Sequence, residues 1–220
     1  MRLKLHCISI LTCLLTACNN EVDQVYSCNS SINTWTIENL EKIQEMSRND
    51  WNNLDEMHKL AAYRAFTQEQ RIIFWHKKLE EVLTLDWTEG ERQHICLVDS
   101  FIDAHPDFLS GKRLTDDQLN VLETFFYLWT KNAKEKFRWS TKTAISIAGS
   151  GNSLIDKKGN VRYKNKEILK TRGNCHCNTS ILSDFCNGDG ICKRTMCEED
   201  LLGCGWILVQ SCNGECSGIE

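Results

Sequence analysis

The sequence predicts a mainly α fold, an irregular helical bundle followed by a small disulfide-rich C-terminal module. Three observations carry this expectation. Between residues 36 and 170 apolar side chains recur three and four positions apart with charged residues between them, as in helices that bury one stripe. A single proline, Pro106, leaves long helices few imposed breaks. Eight of the 13 cysteines crowd into the stretch from Cys175 to Cys216.

The chain has 220 residues, 41% hydrophobic and 25% charged, enough for one helical domain with a sizeable core and a small appendage. Its net charge of -4 has the wrong sign for holding nucleic acid through phosphate neutralisation.

Residues 1–17 read as a lipoprotein signal peptide. Arg2 and Lys4 precede an apolar run from Cys7 to Leu15 that is too short to span a bilayer. The ending Leu15-Thr16-Ala17-Cys18 resembles a bacterial lipobox, which implies lipidation at Cys18 and a membrane partner reached through a lipid anchor. Each buried lipid methylene contributes about 0.8 kcal/mol. Cys7 and Cys13 leave with the signal peptide, and residues 18–35 follow as an N-terminal tether.

The helical domain is expected at 36–145. A helix from Asp50 to Phe66 comes first. Thr67-Gln68-Glu69-Gln70 is a capping box opening a helix from Arg71 to Leu85, with Ile72, Ile73, Trp75 and Leu79 as its buried stripe. Thr88-Glu89-Gly90-Glu91 opens another through Ile95, Leu97, Val98, Phe101 and Ile102 that stops before Pro106. Thr115-Asp116-Asp117-Gln118 begins a long helix carrying Leu119, Leu122, Phe126 and Trp129. Short loops between four or five helices suggest an all-α bundle, without internal repeats. Residues 146–172, with Gly149-Ser150-Gly151-Asn152 and Asp156-Lys157-Lys158-Gly159-Asn160, read as a linker.

No motif in the middle supports catalysis, a cofactor or a metal. Gly149, Gly151 and Gly159 lack the strand and Lys-Ser/Thr pair of a phosphate loop. His94 with Cys96, and Trp75 with His76, have no second ligand set at metal spacing and read as ordinary helix residues. Trp75, Trp87, Phe125, Phe126 and Trp129 fall at helical spacing and read as core. Asp116 and Asp117 suit the positive end of a helix dipole better than a catalytic pair.

The module is expected at 173–220. Cys175, Cys177, Cys186, Cys192, Cys197, Cys204, Cys212 and Cys216 imply four disulfides, each contributing roughly 2–4 kcal/mol, with on the order of a hundred possible pairings. A zinc site around Cys175-His176-Cys177 is the competing use, disfavoured because paired Cys-x2-Cys knuckles are missing. Cys28 and Cys96 are left over, either as a fifth disulfide or as free thiols. Trp206, Ile207, Leu208 and Val209 form an apolar strip, either a contact surface or the module's own core.

The segments Asn174-Cys175-His176-Cys177-Asn178-Thr179-Ser180, Ser183-Asp184-Phe185-Cys186, Gly203-Cys204-Gly205-Trp206 and Cys212-Asn213-Gly214 resemble the bacteriocin fulvocin C-related family, over about a fifth of the chain. The resemblance implies a bacteriocin-like precursor lipoprotein whose stapled tail is the effector, exported to the outer membrane or cell surface. It places a processing site between Arg172 and Gly173, and a target-cell receptor or envelope component becomes the partner. Two cations, Lys193 and Arg194, stand in this tail against seven carboxylates, which disfavours attack on anionic membranes by charge alone. The alternative is a non-enzymatic surface lipoprotein whose cysteine-rich module stays attached and binds a protein or cell-envelope partner.

Overall fold

In a computed structural model of the protein, the described residues are 25–163, 175, 177–179, 186, 191–197 and 199–217. The signal peptide, the lipidation candidate Cys18 and the processing pair Arg172 and Gly173 lie outside them.

Every α-helix but the second begins where a side chain satisfies the orphan N–H groups of a first turn. Asn29 caps α1 (Ser30–Glu38) by accepting from the Ser31 and Ile32 amides. After α2 (Leu40–Gln44), Ser47 and Asp50 form a reciprocal box at α3 (Arg48–Asn52). Asp55 caps α4 (Glu56–Ala65). The helix expected from Asp50 to Phe66 is therefore two, broken where Asp55 starts a new first turn. The three boxes expected at Thr67, Thr88 and Thr115 open α5 (Gln68–Leu83), α6 (Glu89–Ala104) and α7 (Asp116–Phe137). Pro106 stops α6 and opens a 3-10 turn, Pro106–Leu109.

Two arginines, the buried Arg71 and the half-buried Arg92, satisfy carbonyls at helix ends and turns. Arg71 donates to the carbonyls of Tyr63, Arg64 and Leu109, and Arg92 to those of Leu83, Leu85 and Trp87. Ile73 and Leu97, expected in the interior, are half exposed: on α5 Arg71 and Lys78 point inward with Phe74, Trp75 and Leu79, and on α6 His94, Ile95, Val98, Phe101 and Ile102 take the inner face.

Two boundaries differ from the sequence reading. The tether is already structured from Tyr26, which is buried with Ile32. The linker begins inside α8 (Thr141–Ala148), and residues 149–163 pack onto the bundle. Gly151 permits this packing, because a Cβ there would meet Trp51 at 2.6 Å and Phe74 at 3.1 Å. Asn152 anchors the stretch by binding the buried amines of Lys59 and Lys78.

Among its described residues the tail holds two small antiparallel ribbons. β1 (Ile191–Lys193) pairs with β4 (Glu215–Ser217), which sets Cys192 opposite Cys216. β2 (Asp200–Cys204) pairs with β3 (Gln210–Cys212). The protein is thus mainly helical with a disulfide-rich, strand-containing C-terminal region. Among the described residues no helix is long and apolar enough to cross a membrane.

Candidate functional site

The eight tail cysteines form four disulfides: Cys175–Cys197, Cys177–Cys192, Cys186–Cys216 and Cys204–Cys212. Their Cα atoms lie 5.0–5.9 Å apart, within the normal span of such bridges. The sulfurs of Cys177, Cys186 and Cys192 gather within 4.8 Å. Two adjacent disulfides account for that cluster. The Cys28–Cys96 bridge is not formed: Cys96 lies exposed on the outer face of α6 with a free thiol, and Cys28 is half-buried ahead of α1. Ile95 and Val98 take the inner face, which turns Cys96 away from the bundle.

The loop between β2 and β3 is tightly constrained. Cys204 and Cys212 clamp its base, and Gly205 at φ 71° turns the chain inward. A side chain at Gly205 would collide with the Gln210 side chain, whose Oε1 accepts from the Trp206 amide. Ile207 and Leu208 also have positive φ, 43° and 55°, which is costly for such residues. The reward is burial: Trp206, Ile207, Leu208 and Val209 are at most 9% exposed.

These four residues belong to the same core as the helices. The Trp206 ring stacks on Phe126 of α7, with centroids 4.5 Å apart and planes 6° from parallel. Trp129 meets it edge-on at 6.4 Å. The apolar strip is therefore neither an exposed contact surface nor a private core of the module. It is an intramolecular plug, and the tail is no independent appendage.

Polar groups set its register. The Tyr63 hydroxyl donates to the Ile207 carbonyl at 3.1 Å and accepts from Trp75 Nε1 at 3.0 Å. Burial raises the Tyr63 phenol far above its ordinary value, so it stays a neutral donor. Arg64 donates to Leu202 and Tyr26 carbonyls and contacts Cys212 Sγ at 3.6 Å. One arginine thus ties the N-terminal segment, α4 and the tail together. Leu60 packs on Cys175, Cys204 and Cys212, and a Cβ at Gly203 would approach it at 2.5 Å.

The chain matches no family model, no curated protein and no solved structure.

The other sequence candidates fall into packing roles. His94 is buried and stacks on Trp129 with planes 4° apart; its Nε2 bonds the Trp129 carbonyl and the Trp129 indole donates to the His94 carbonyl, while Cys96 faces outward. His76 pairs with Asp99 and Asp103 at the surface, and Trp75 is fully buried. Neither pair converges on one point, as a metal or a nucleophile would need. Trp87, Phe126 and Trp129 are core, with Phe125 half-buried against Phe101. Asp116 and Asp117 occupy the first turn of α7.

Two features carried little sequence signal. Glu91, the box residue of α6, accepts from Trp139, Thr88 and Lys157. Burial acts to raise its carboxyl, but these hydrogen bonds prevail and hold it down at about 2. An open groove of about 550 Å³ is floored by Phe66 and Phe74 and rimmed by the Arg48–Glu81 and Lys77–Glu80 ion pairs.

Proposed function

We propose that this chain is an exported, lipid-anchored, bacteriocin-like precursor without enzymatic activity, whose helical domain covers the apolar plug of a disulfide-stapled C-terminal effector. The observation that carries the reading is the burial of Trp206–Val209 against Phe126, Trp129 and Tyr63. An exported tail with such a strip needs cover until it acts, and its own chain supplies it. Resemblance of the tail's cysteine pattern to the fulvocin C-related family supports the effector role, and the Leu15-Thr16-Ala17-Cys18 ending supports lipid anchoring.

The seated plug also offers an answer to the tail's acidity. A tail cut after Arg172 and undocked would expose one tryptophan and three aliphatic side chains, a contact surface that needs no positive charge. Its target is then a receptor or envelope component rather than anionic lipid. A second reading, a retained surface module that binds an envelope partner, is favoured by the Arg64 and Tyr63 hydrogen bonds, which would hold the tail after a cut.

Mass spectrometry of membrane and medium fractions separates the two. The precursor reading predicts an oxidised peptide in the medium beginning at or next to Gly173. Recovery of only full-length, membrane-bound chain would overturn it in favour of the retained module.

A further inference from the structure

Outside the plug, a buried polar cluster joins α4 to residues 149–163. Lys59 Nζ lies 2.7 Å from the side-chain oxygen of Asn152 and 2.8 Å from Glu56 Oε1. The Asn152 side-chain nitrogen in turn donates to the other Glu56 oxygen at 2.9 Å. One carboxylate therefore bridges an amine and the carboxamide that the amine touches.

The surroundings are dry and fixed. Lys59 is 2% exposed and Asn152 5%. Lys59 Nζ sits 5.2 Å from the Trp51 ring centroid, and the Trp51 indole donates to the Lys59 carbonyl. The Asn152 amide donates to Ser150, and its carbonyl accepts from Lys78. Every polar group of Asn152 is thus held, so the carboxamide cannot swing away.

We propose that Lys59 and Asn152 form an intramolecular isopeptide bond, with Glu56 as the proton relay. Glu56 takes a proton from the Lys59 ammonium, leaving an amine whose lone pair attacks the side-chain carbonyl carbon of Asn152. Glu56 then delivers the proton to the departing nitrogen. The new bond joins Lys59 Nζ to that carbon, the carbon–nitrogen bond of the carboxamide breaks, and ammonia leaves with the excess protons as ammonium. No oxidant, reductant or cofactor enters.

The cross-link would span 93 residues of sequence and clamp the stretch preceding the tail to α4. Unlike the four disulfides it would survive reductant, so the helical body would stay closed while the tail's bridges open. This inference stands apart from the precursor reading, because it concerns the helical body alone.

Intact mass of the full-length chain, reduced and alkylated, tests it. The expected wild-type mass is lower by one ammonia, and digestion gives a branched peptide joining the Lys59 and Asn152 segments with no cleavage at Lys59. Glu56→Gln, which keeps the size and hydrogen-bonding capacity of the relay, is expected to restore the full mass while helical circular dichroism is retained. Wild-type protein at full mass, with Lys59 and Asn152 in separate peptides, would overturn the proposal and leave the cluster as a buried ion pair.

Discussion

Replacing Trp206 with alanine empties the socket between the tail and α7. Trp206 is 1% exposed and stacked on Phe126, so nothing on the surface relaxes to fill the space. Large-to-small substitution of a buried tryptophan costs about 3–5 kcal/mol, a figure that includes the cavity left behind. For a chain of this size each kcal/mol lowers the melting midpoint by about 2–4 °C, so Trp206→Ala is expected to lower it by roughly 10 °C. The test of shared packing is where the loss appears. Thermal unfolding followed by circular dichroism gives the midpoint, and hydrogen exchange along α7 reports whether the helices feel the change. A single lowered transition with faster exchange around Phe126 and Trp129 is expected. A drop below about 3 °C, or one confined to the tail with α7 exchange unchanged, would refute the common core.

Other outcomes follow from the same geometry. Because the folded Glu91 carboxyl sits at about 2, below its ordinary 4.5, the stability it contributes is complete above pH 4.5 and lost as pH falls toward 2. The loss is roughly 1–3 kcal/mol, the smaller figure allowing for solvent around Lys157, 39% exposed; urea titrations of wild type and Glu91→Gln that decline in parallel over this window would contradict it. Burial lowers His94 below its ordinary 6.5, so its neutral form contributes stability above that pH and the contribution is lost on acidification; urea midpoints at pH 7 and 5 that His94→Phe leaves equally separated would contradict this. Maleimide added to the native, oxidised protein is expected to tag Cys96 and none of the eight tail cysteines; tagging of Cys204 or Cys212 without reductant would contradict their pairing. Cys18→Ser is expected to move the protein from the membrane pellet to the soluble fraction, and undiminished pelleting would contradict lipid anchoring.

The helix starts at Thr67, Thr88 and Thr115 were legible because a capping box is a contact over three residues, written wholly in local sequence. The break before α4 was hidden because Asp55 caps without an acidic or amide partner three residues on, where His58 stands. Residues 149–163 look like linker because their glycines and short polar side chains are those of a loop. Gly151 instead fits against Trp51 and Phe74, and Asn152 meets lysines 93 and 74 residues away. Ile73 is half exposed because the long cations Arg71 and Lys78 take the interior face of α5, where carbonyls wait to be satisfied, and Leu97 because Ile95, Val98 and Ile102 fill the inner stripe of α6.

The tail shows the same division. Its cysteine density announced four bridges, yet the pairing depends on how two ribbons fold over each other. The apolar strip was visible in sequence, but its socket was not. Phe126 and Tyr63 lie far back in the chain, and nothing local indicates that Gly205 aims Trp206 at them.

The central claim, that the helical domain holds a covered effector, is tested most directly by an inhibition-zone assay comparing the oxidised full-length chain with the oxidised tail 173–220 at equal molar dose. The account predicts inhibition by the freed tail and none by the full-length chain, in which Trp206 is seated. An inactive tail, or full-length protein as active as the tail, would contradict it.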